Sequence, residues 1–213
     1  MKVVAVVPIK KNSKRVKSKN FRVVNKRPLY MYLLDKLKYT NFDEIYVDSD
    51  SDEIRRYCQK NNFFYLKRLK KLTRDNANGN DLLNHHSKLI KADLYFQLFI
   101  TAPLLSIKSI NHCINFLKKN KKYDSIFTVN EIFSWFWFNN KPVNYQPNIL
   151  PRSQDAKPVI KETTGLYGIK KKSLLKLGCR IGKKPFMFKV SEKEGLDIDN
   201  EEDFQALKSY LKT

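Results

Sequence analysis

Residues 1–20 read MKVVAVVPIKKNSKRVKSKN. The run Val3-Val4-Ala5-Val6-Val7 is rich in β-branched residues, shows no polar alternation and is closed by Pro8. Such a run is a strand buried on both faces, the pattern of a parallel sheet. Outward from it the chain alternates. Residues 28–39 (PLYMYLLDKLKY) place apolar side chains at helical spacing behind Pro28, which suits a first helical turn. Residues 44–47 read as a short strand ending at Asp48-Ser49-Asp50. Helices are then expected over 52–60, 80–92 and 106–119, and strands over 63–66, 94–100 and 125–129. This alternation predicts an α/β fold: a mostly parallel sheet with helices on both faces. Ligands in such sheets bind beyond the carboxyl ends of the strands. The loop after the first strand, the Asp48–Asp50 turn and Thr101-Ala102-Pro103 should therefore meet in one crevice.

The texture changes from 130 to 165. Trp135, Phe136, Trp137 and Phe138 lie together, and Pro142, Pro147, Pro151 and Pro158 interrupt the chain after them. The stretch reads as an irregular extension or hairpin arm, 131–160, within one domain spanning 1–213. A strand at 166–169, a short helix at 171–177, a strand at 186–190 and a helix at 200–211 complete the pattern.

The chain has 213 residues and is 42% hydrophobic, enough for a folded core. It carries 42 Lys and Arg against 21 Asp and Glu, a net charge of +21. That charge calls for an anionic partner or reflects general lysine usage. Cys58, Cys113 and Cys179 are odd in number and scattered, which argues against a disulfide framework and against a zinc site. The apolar stretch 94–105 is too short to cross a bilayer, and the basic residues after position 9 do not suit a leader. The expectation is a reduced, cytoplasmic protein with no membrane association.

Three constellations carry chemistry. The loop 8–20 holds Lys10, Lys11, Lys14, Arg15, Lys17 and Lys19 and no acid. A cationic loop after the first strand suits a triphosphate; a solvated basic loop is the plainer alternative. No Walker or dinucleotide glycine motif is present. Asp197-Ile198-Asp199 is the second constellation. In extended chain, residues two apart face one side, and paired carboxylates suit Mg²⁺ shared with substrate phosphates. The alternative is that Asp199 or Asn200 merely caps the next helix. Third, Arg152-Ser153-Gln154-Asp155 and Lys161-Glu162-Thr163-Thr164-Gly165 line either a pocket or a surface turn. His85, His86 and His112 support no nucleophile system and read as surface or packing residues. The aromatic run 135–138 suits core or a subunit interface better than base stacking.

In chain order, VVPIKKNSKRVKSKNF, KRPLY, VDSD, KRLKKLTRD, TAPLL and LDIDNEEDF resemble the successive motifs of the acylneuraminate cytidylyltransferase family. The resemblance covers nearly the whole chain. It implies a single Rossmann-like nucleotidyltransferase domain with a small dimerisation arm, CTP as substrate, Mg²⁺ as cofactor and a homodimer. By that resemblance Lys10, Ser13, Lys19, Asn20, Arg68 and Asp75 border CTP, with Lys10, Lys19 and Asp199 as catalytic groups. Asp197 and Asp199 fall on the metal ligands, and Thr101, Arg152 and Gln154 on the acceptor side. With no glycine in the loop, Asn12 is expected to supply any left-handed backbone.

Two positions depart from the family pattern. Phe99 stands where a Gln commonly helps hold the sugar acid, and Leu105 where the Pro-Leu motif ends in Arg. The segment LPRSQDAKPV, 150–159, resembles a family branch carrying Arg-Thr-Gln-Asp-x-Pro-Pro-Val. The implied reaction transfers CMP from CTP to an anionic acceptor, a sialic-acid-like nonulosonic acid or related sugar acid. A phosphonate acceptor or a catalytically weakened homologue remains an alternative. A nucleic-acid-binding module, prompted by the charge, lacks any recognition motif.

Overall fold

The computed structural model describes residues 1–13, 16–74 and 76–212. The valine run forms β1 (Val3–Ile9). A small hairpin of β2 (Val23–Val24) and β3 (Arg27–Pro28) leads into α1 (Leu29–Leu37). Next come β4 (Glu44–Ser49), α2 (Asp52–Lys60), β5 (Phe64–Lys67), α3 (Gly79–Leu89), β6 (Leu94–Leu98) and α4 (Ile107–Lys119). After β7 (Ser125–Ile132) come the two-residue strands β8 (Trp137–Phe138) and β9 (Lys141–Pro142). The chain ends with β10 (Val159–Lys170), α5 (Lys171–Leu177), β11 (Pro185–Lys189) and α6 (Glu201–Tyr210).

Seven strands form one sheet in the order β11-β7-β10-β6-β1-β4-β5. Only β10 runs against its neighbours; every other pairing is parallel. The alternation of β1 explains why its sequence is apolar throughout. Val3, Ala5, Val7 and Ile9 pack with residues of α1, α2, α4 and α6 on one face. Val4 and Val6 pack with Leu83 of α3 and Leu174 of α5 on the other. Burial of each such valine, leucine or isoleucine side chain contributes about 1.5–3 kcal/mol.

The region expected to be irregular from 130 to 165 is partly sheet. β7 runs on to Ile132 and β10 begins at Val159, with Val159 opposite Ile132 and a break in register between Glu162 and Tyr167. The outer half of β10 carries Lys161 and Glu162 and is exposed, so it has no apolar pattern to read. Between these strands lies the arm. Its hairpin turns at Asn139 and Asn140, whose φ values of 48° and 60° suit a tight two-residue turn. Asn144 ties the arm together, donating to Ser134 O at 2.7 Å and Lys157 O at 2.6 Å. Trp137 and Phe138 remain 58% and 71% exposed, more than a lone domain normally leaves uncovered. Cys58, Cys113 and Cys179 are unbridged. Among the described residues no helix is long and apolar enough to cross a membrane.

Candidate active site

The crevice expected at the carboxyl ends of the strands is present. A cavity of about 300 Å³ is lined by Lys10, Ser13, Lys19, Asn20, Arg68 and Thr101, together with Phe99 and Leu82. Local hydrogen bonds shape the basic loop around it. Ser13 Oγ accepts from Lys19 N at 2.9 Å and donates to Val16 O. Asn20 Nδ2 donates to Lys10 O at 2.7 Å, and Lys11 N donates to Asp50 Oδ1 at 2.7 Å. Among the described residues of the loop the left-handed one is Ser18, at φ 52°, and not Asn12. The tight turn ahead of Lys19 falls at Ser18, so Asn12 needs no unusual backbone there.

Arg68 is held from below. Its Nε donates to Asp48 Oδ1 at 2.9 Å and its Nη2 to Asp48 O at 3.1 Å. The other Asp48 oxygen lies 2.6 Å from His86 Nε2. Side chains of Arg68, Asp48 and His86 are 3%, 2% and 1% exposed. Burial alone would raise the Asp48 carboxyl, but His86 and Arg68 outweigh it and hold it below its ordinary value. The sequence offered no sign of this trio, because its members are far apart and meet only when α3 packs on β4.

Lys19 joins this cavity to the carboxylate motif. Its Nζ donates to Ile198 O at 2.6 Å and to Asp199 Oδ1 at 3.0 Å. Ile198 is fully buried, and its N–H donates to Thr101 O at 2.8 Å. The motif is thus stapled to the TAPLL loop. Asp197 and Asp199 both line a second cavity of about 520 Å³, floored by Thr163 and Thr164 and edged by Glu162. Asn200, and not Asp199, caps α6: its side chain accepts from Asp203 N at 3.0 Å, and its own N–H donates to Asp203 Oδ2. Capping therefore explains neither aspartate. Asp197 Oδ1 is buried and carries no hydrogen bond, and the same holds for Thr164 Oγ1. A buried carboxylate oxygen with no donor fits a hard cation. Among the described residues no group of three or more His, Cys, Asp or Glu forms a complete metal site. The two aspartates suit Mg²⁺ sharing the phosphates of a substrate.

Other expected residues lie elsewhere. Arg152 and Gln154 lie at a short turn in the arm and line neither cavity. Arg152 pairs with Asp155 at 2.6 Å. Asp75 falls outside the described residues. Leu105 is buried among apolar side chains, so this position offers no cation to either cavity.

The fold is an α/β domain with a cavity carrying Lys10, Lys19 and Arg68 at the strand ends, the place where such sheets take their ligands. The chain belongs to the cytidylyltransferase family, whose model matches residues 4–209. It is 23% identical over 205 residues to N-acylneuraminate cytidylyltransferase A of Danio rerio, covering 92% of this chain and 47% of that protein. It is 24% identical over 216 residues to the post-translational flagellin modification protein B of Campylobacter coli, covering 94% and 91%. The chain spans about half the length, or less, of the first curated relatives it matches. Among solved structures, CMP:2-keto-3-deoxy-manno-octonic acid synthetase complexed with CTP superposes with a TM-score of 0.74. That match has 15% identity and covers 100% of this chain and 99% of that one. The bifunctional IspDF of Campylobacter jejuni gives a TM-score of 0.69 at 18% identity, covering 96% and 54%. At these identities the likeness is one of fold.

Proposed function

We propose that this chain transfers CMP from CTP to a sialic-acid-like nonulosonic acid or related sugar acid, releasing pyrophosphate. The observation that carries the reading is Lys19, whose ammonium links the basic loop to Asp199 across the crevice. An oxygen of the acceptor attacks the α-phosphorus in line, and the bond from that phosphorus to the bridging oxygen of the β-phosphate breaks. Positioning and charge neutralisation are the protein's main contributions. Lys10 and Lys19 neutralise the leaving pyrophosphate. Arg68, held by Asp48, and Asn20, held on Lys10 O, orient the nucleotide. Mg²⁺ at Asp197 and Asp199 would supply charge neutralisation for the triphosphate. The sugar-acid class is supported by the names of the Danio rerio relative and of a Helicobacter pylori pseudaminic acid cytidylyltransferase, 24% identical over 177 residues. Phe99 and Leu105 favour keeping a phosphonate acceptor as the second reading.

CTP is expected to raise the melting temperature in the presence of Mg²⁺ well beyond UTP or ATP. Equal shifts with all three nucleotides would count against the reading. Pyrophosphate release over a panel of sugar acids then tests the acceptor. We further propose a homodimer held partly by the arm, since Trp137, Phe138, Ile149 and Leu150 are all exposed on it. Light scattering at micromolar concentration should give twice the chain mass; a monomer mass would sink this. The free thiols suit a reducing, cytoplasmic setting.

A further inference from the structure

The loop from α5 to β11 carries Arg180, whose guanidinium lies 3.6 Å from the centre of the Tyr167 ring and 5.6 Å from that of Phe99. Phe99 walls the nucleotide cavity. Tyr167 donates its hydroxyl to Glu162, which edges the cavity holding Asp197. Arg180 therefore touches one side chain lining each cavity, Phe99 and Glu162, although it lines neither itself. An acceptor reaching from the aspartate cavity to the nucleotide cavity would pass Glu162 and Phe99, the side chains beside Arg180.

The guanidinium is preorganised but has donors to spare. The Arg180 backbone N–H donates to Asn80 Oδ1 at 2.9 Å. A Cβ on Gly79 would come within 2.4 Å of Arg180 Nη1, so the glycine opening α3 makes room for this side chain. Of five N–H donors, one makes a long 3.5 Å contact with Gln97 Oε1. Glu162 lies 3.8 Å from Nη2. The side chain is 22% exposed. Aromatic rings hold a guanidinium in place without using its donors, which leaves the planar fork for a bidentate anion.

We propose that Arg180 binds the acidic group of the acceptor, a carboxylate or a phosphonate, and sets specificity for it. This rests on the cytidylyl-transfer reading above. Other cations are less well placed. Position 105 is apolar, and Arg152 is paired within its own turn. Lys10 and Lys19 belong to the phosphate side, and Lys161, which lines the aspartate cavity, is an exposed ammonium on a flexible stem with no fork to grip an acid at two points. Glu162, bonded by Tyr167, is left to accept from hydroxyl groups of the same substrate.

The test is calorimetric titration of the parent, R180M and R180K with N-acetylneuraminate and, separately, with 2-aminoethylphosphonate. Each titration is made with a non-hydrolysable CTP analogue and Mg²⁺ present, and affinity for the analogue is measured first by itself. The parent should bind one of the two acids, and which one it binds identifies the source of the anion. R180M should weaken that acid by about tenfold or more, the effect of losing a charge-assisted hydrogen bond. R180K should recover part of the loss. Affinity for the CTP analogue should not change in either variant. For a carboxylate acceptor the methyl ester, which lacks the charge, should bind parent and R180M alike. Unchanged acid affinity in R180M, equal losses for acid and ester, or a parent that binds neither acid would overturn the inference alone. A parent that fails to bind the CTP analogue would overturn the underlying reading and this inference with it.

Discussion

Asp197→Asn is expected to lower turnover by on the order of 10²-fold or more while leaving the melting temperature close to that of the parent. The buried Oδ1 of Asp197 carries no hydrogen bond, and no ion pair reaches this carboxylate among the described residues. Its charge therefore does little for the fold, and the substitution keeps the shape. A triphosphate brought against two carboxylates is repelled unless a cation lies between them. Removing one carboxylate should thus weaken the cation and the developing charge on pyrophosphate together. Asp199→Asn should also lose activity, without unravelling α6, because Asn200 supplies the cap. Pyrophosphate release across a Mg²⁺ titration, read beside melting curves, checks both variants. Near-normal turnover of Asp197→Asn at low Mg²⁺ would rule out the metal site.

The second large effect is on stability. Asp48→Ala should destabilise the protein by about 3–5 kcal/mol, because it leaves the Arg68 guanidinium buried without its counter-charge. It should also weaken CTP binding, since Arg68 loses the carboxylate contact that helps aim it at the cavity. The pH dependence has a definite sign. Folding holds the Asp48 carboxyl below its ordinary value of 3.8. Its stabilisation is therefore complete above that value and is lost as pH falls through the lower, folded value. The gap between parent and Asp48→Ala in urea unfolding should be wide at neutral pH and narrow in strong acid. A gap independent of pH would mean that the ion pair is not what Asp48 contributes.

Much of this architecture could be read from residues alone, for physical reasons. The valine run of β1 is apolar at every position because both faces are covered, and helical spacing exposed α1, α2 and α4. The basic loop and the paired aspartates stood out because their charge is concentrated over few residues. Long-range pairings were not legible. His86 looked like a surface or packing residue, since nothing local announces Asp48 across the sheet. The outer half of β10 is a strand without an apolar face, so its polar residues read as loop. Arg152 and Gln154 were expected beside the acceptor, but a sequence does not show that the arm turns them away from both cavities of the same chain. Phe99 and Leu105 were visible as departures from the family pattern. Arg180 was not singled out at all, because its meaning depends on two rings from other segments of the chain.

The antiparallel pairing of β7 with β10 gives the arm an unusual independence. Ile132 and Val159 face each other across the ladder, so the chain leaves the sheet and re-enters it at one spot. Everything between behaves as a cassette plugged into a fixed socket. Insertions, deletions or wholesale replacement there are expected to leave the strand register and the basic loop after β1 untouched. The arm can therefore vary with little effect on the crevice at the strand ends. A surface segment open to change is thus anchored on the same two strands, β7 and β10, whose Phe127, Val129 and Tyr167 form buried core.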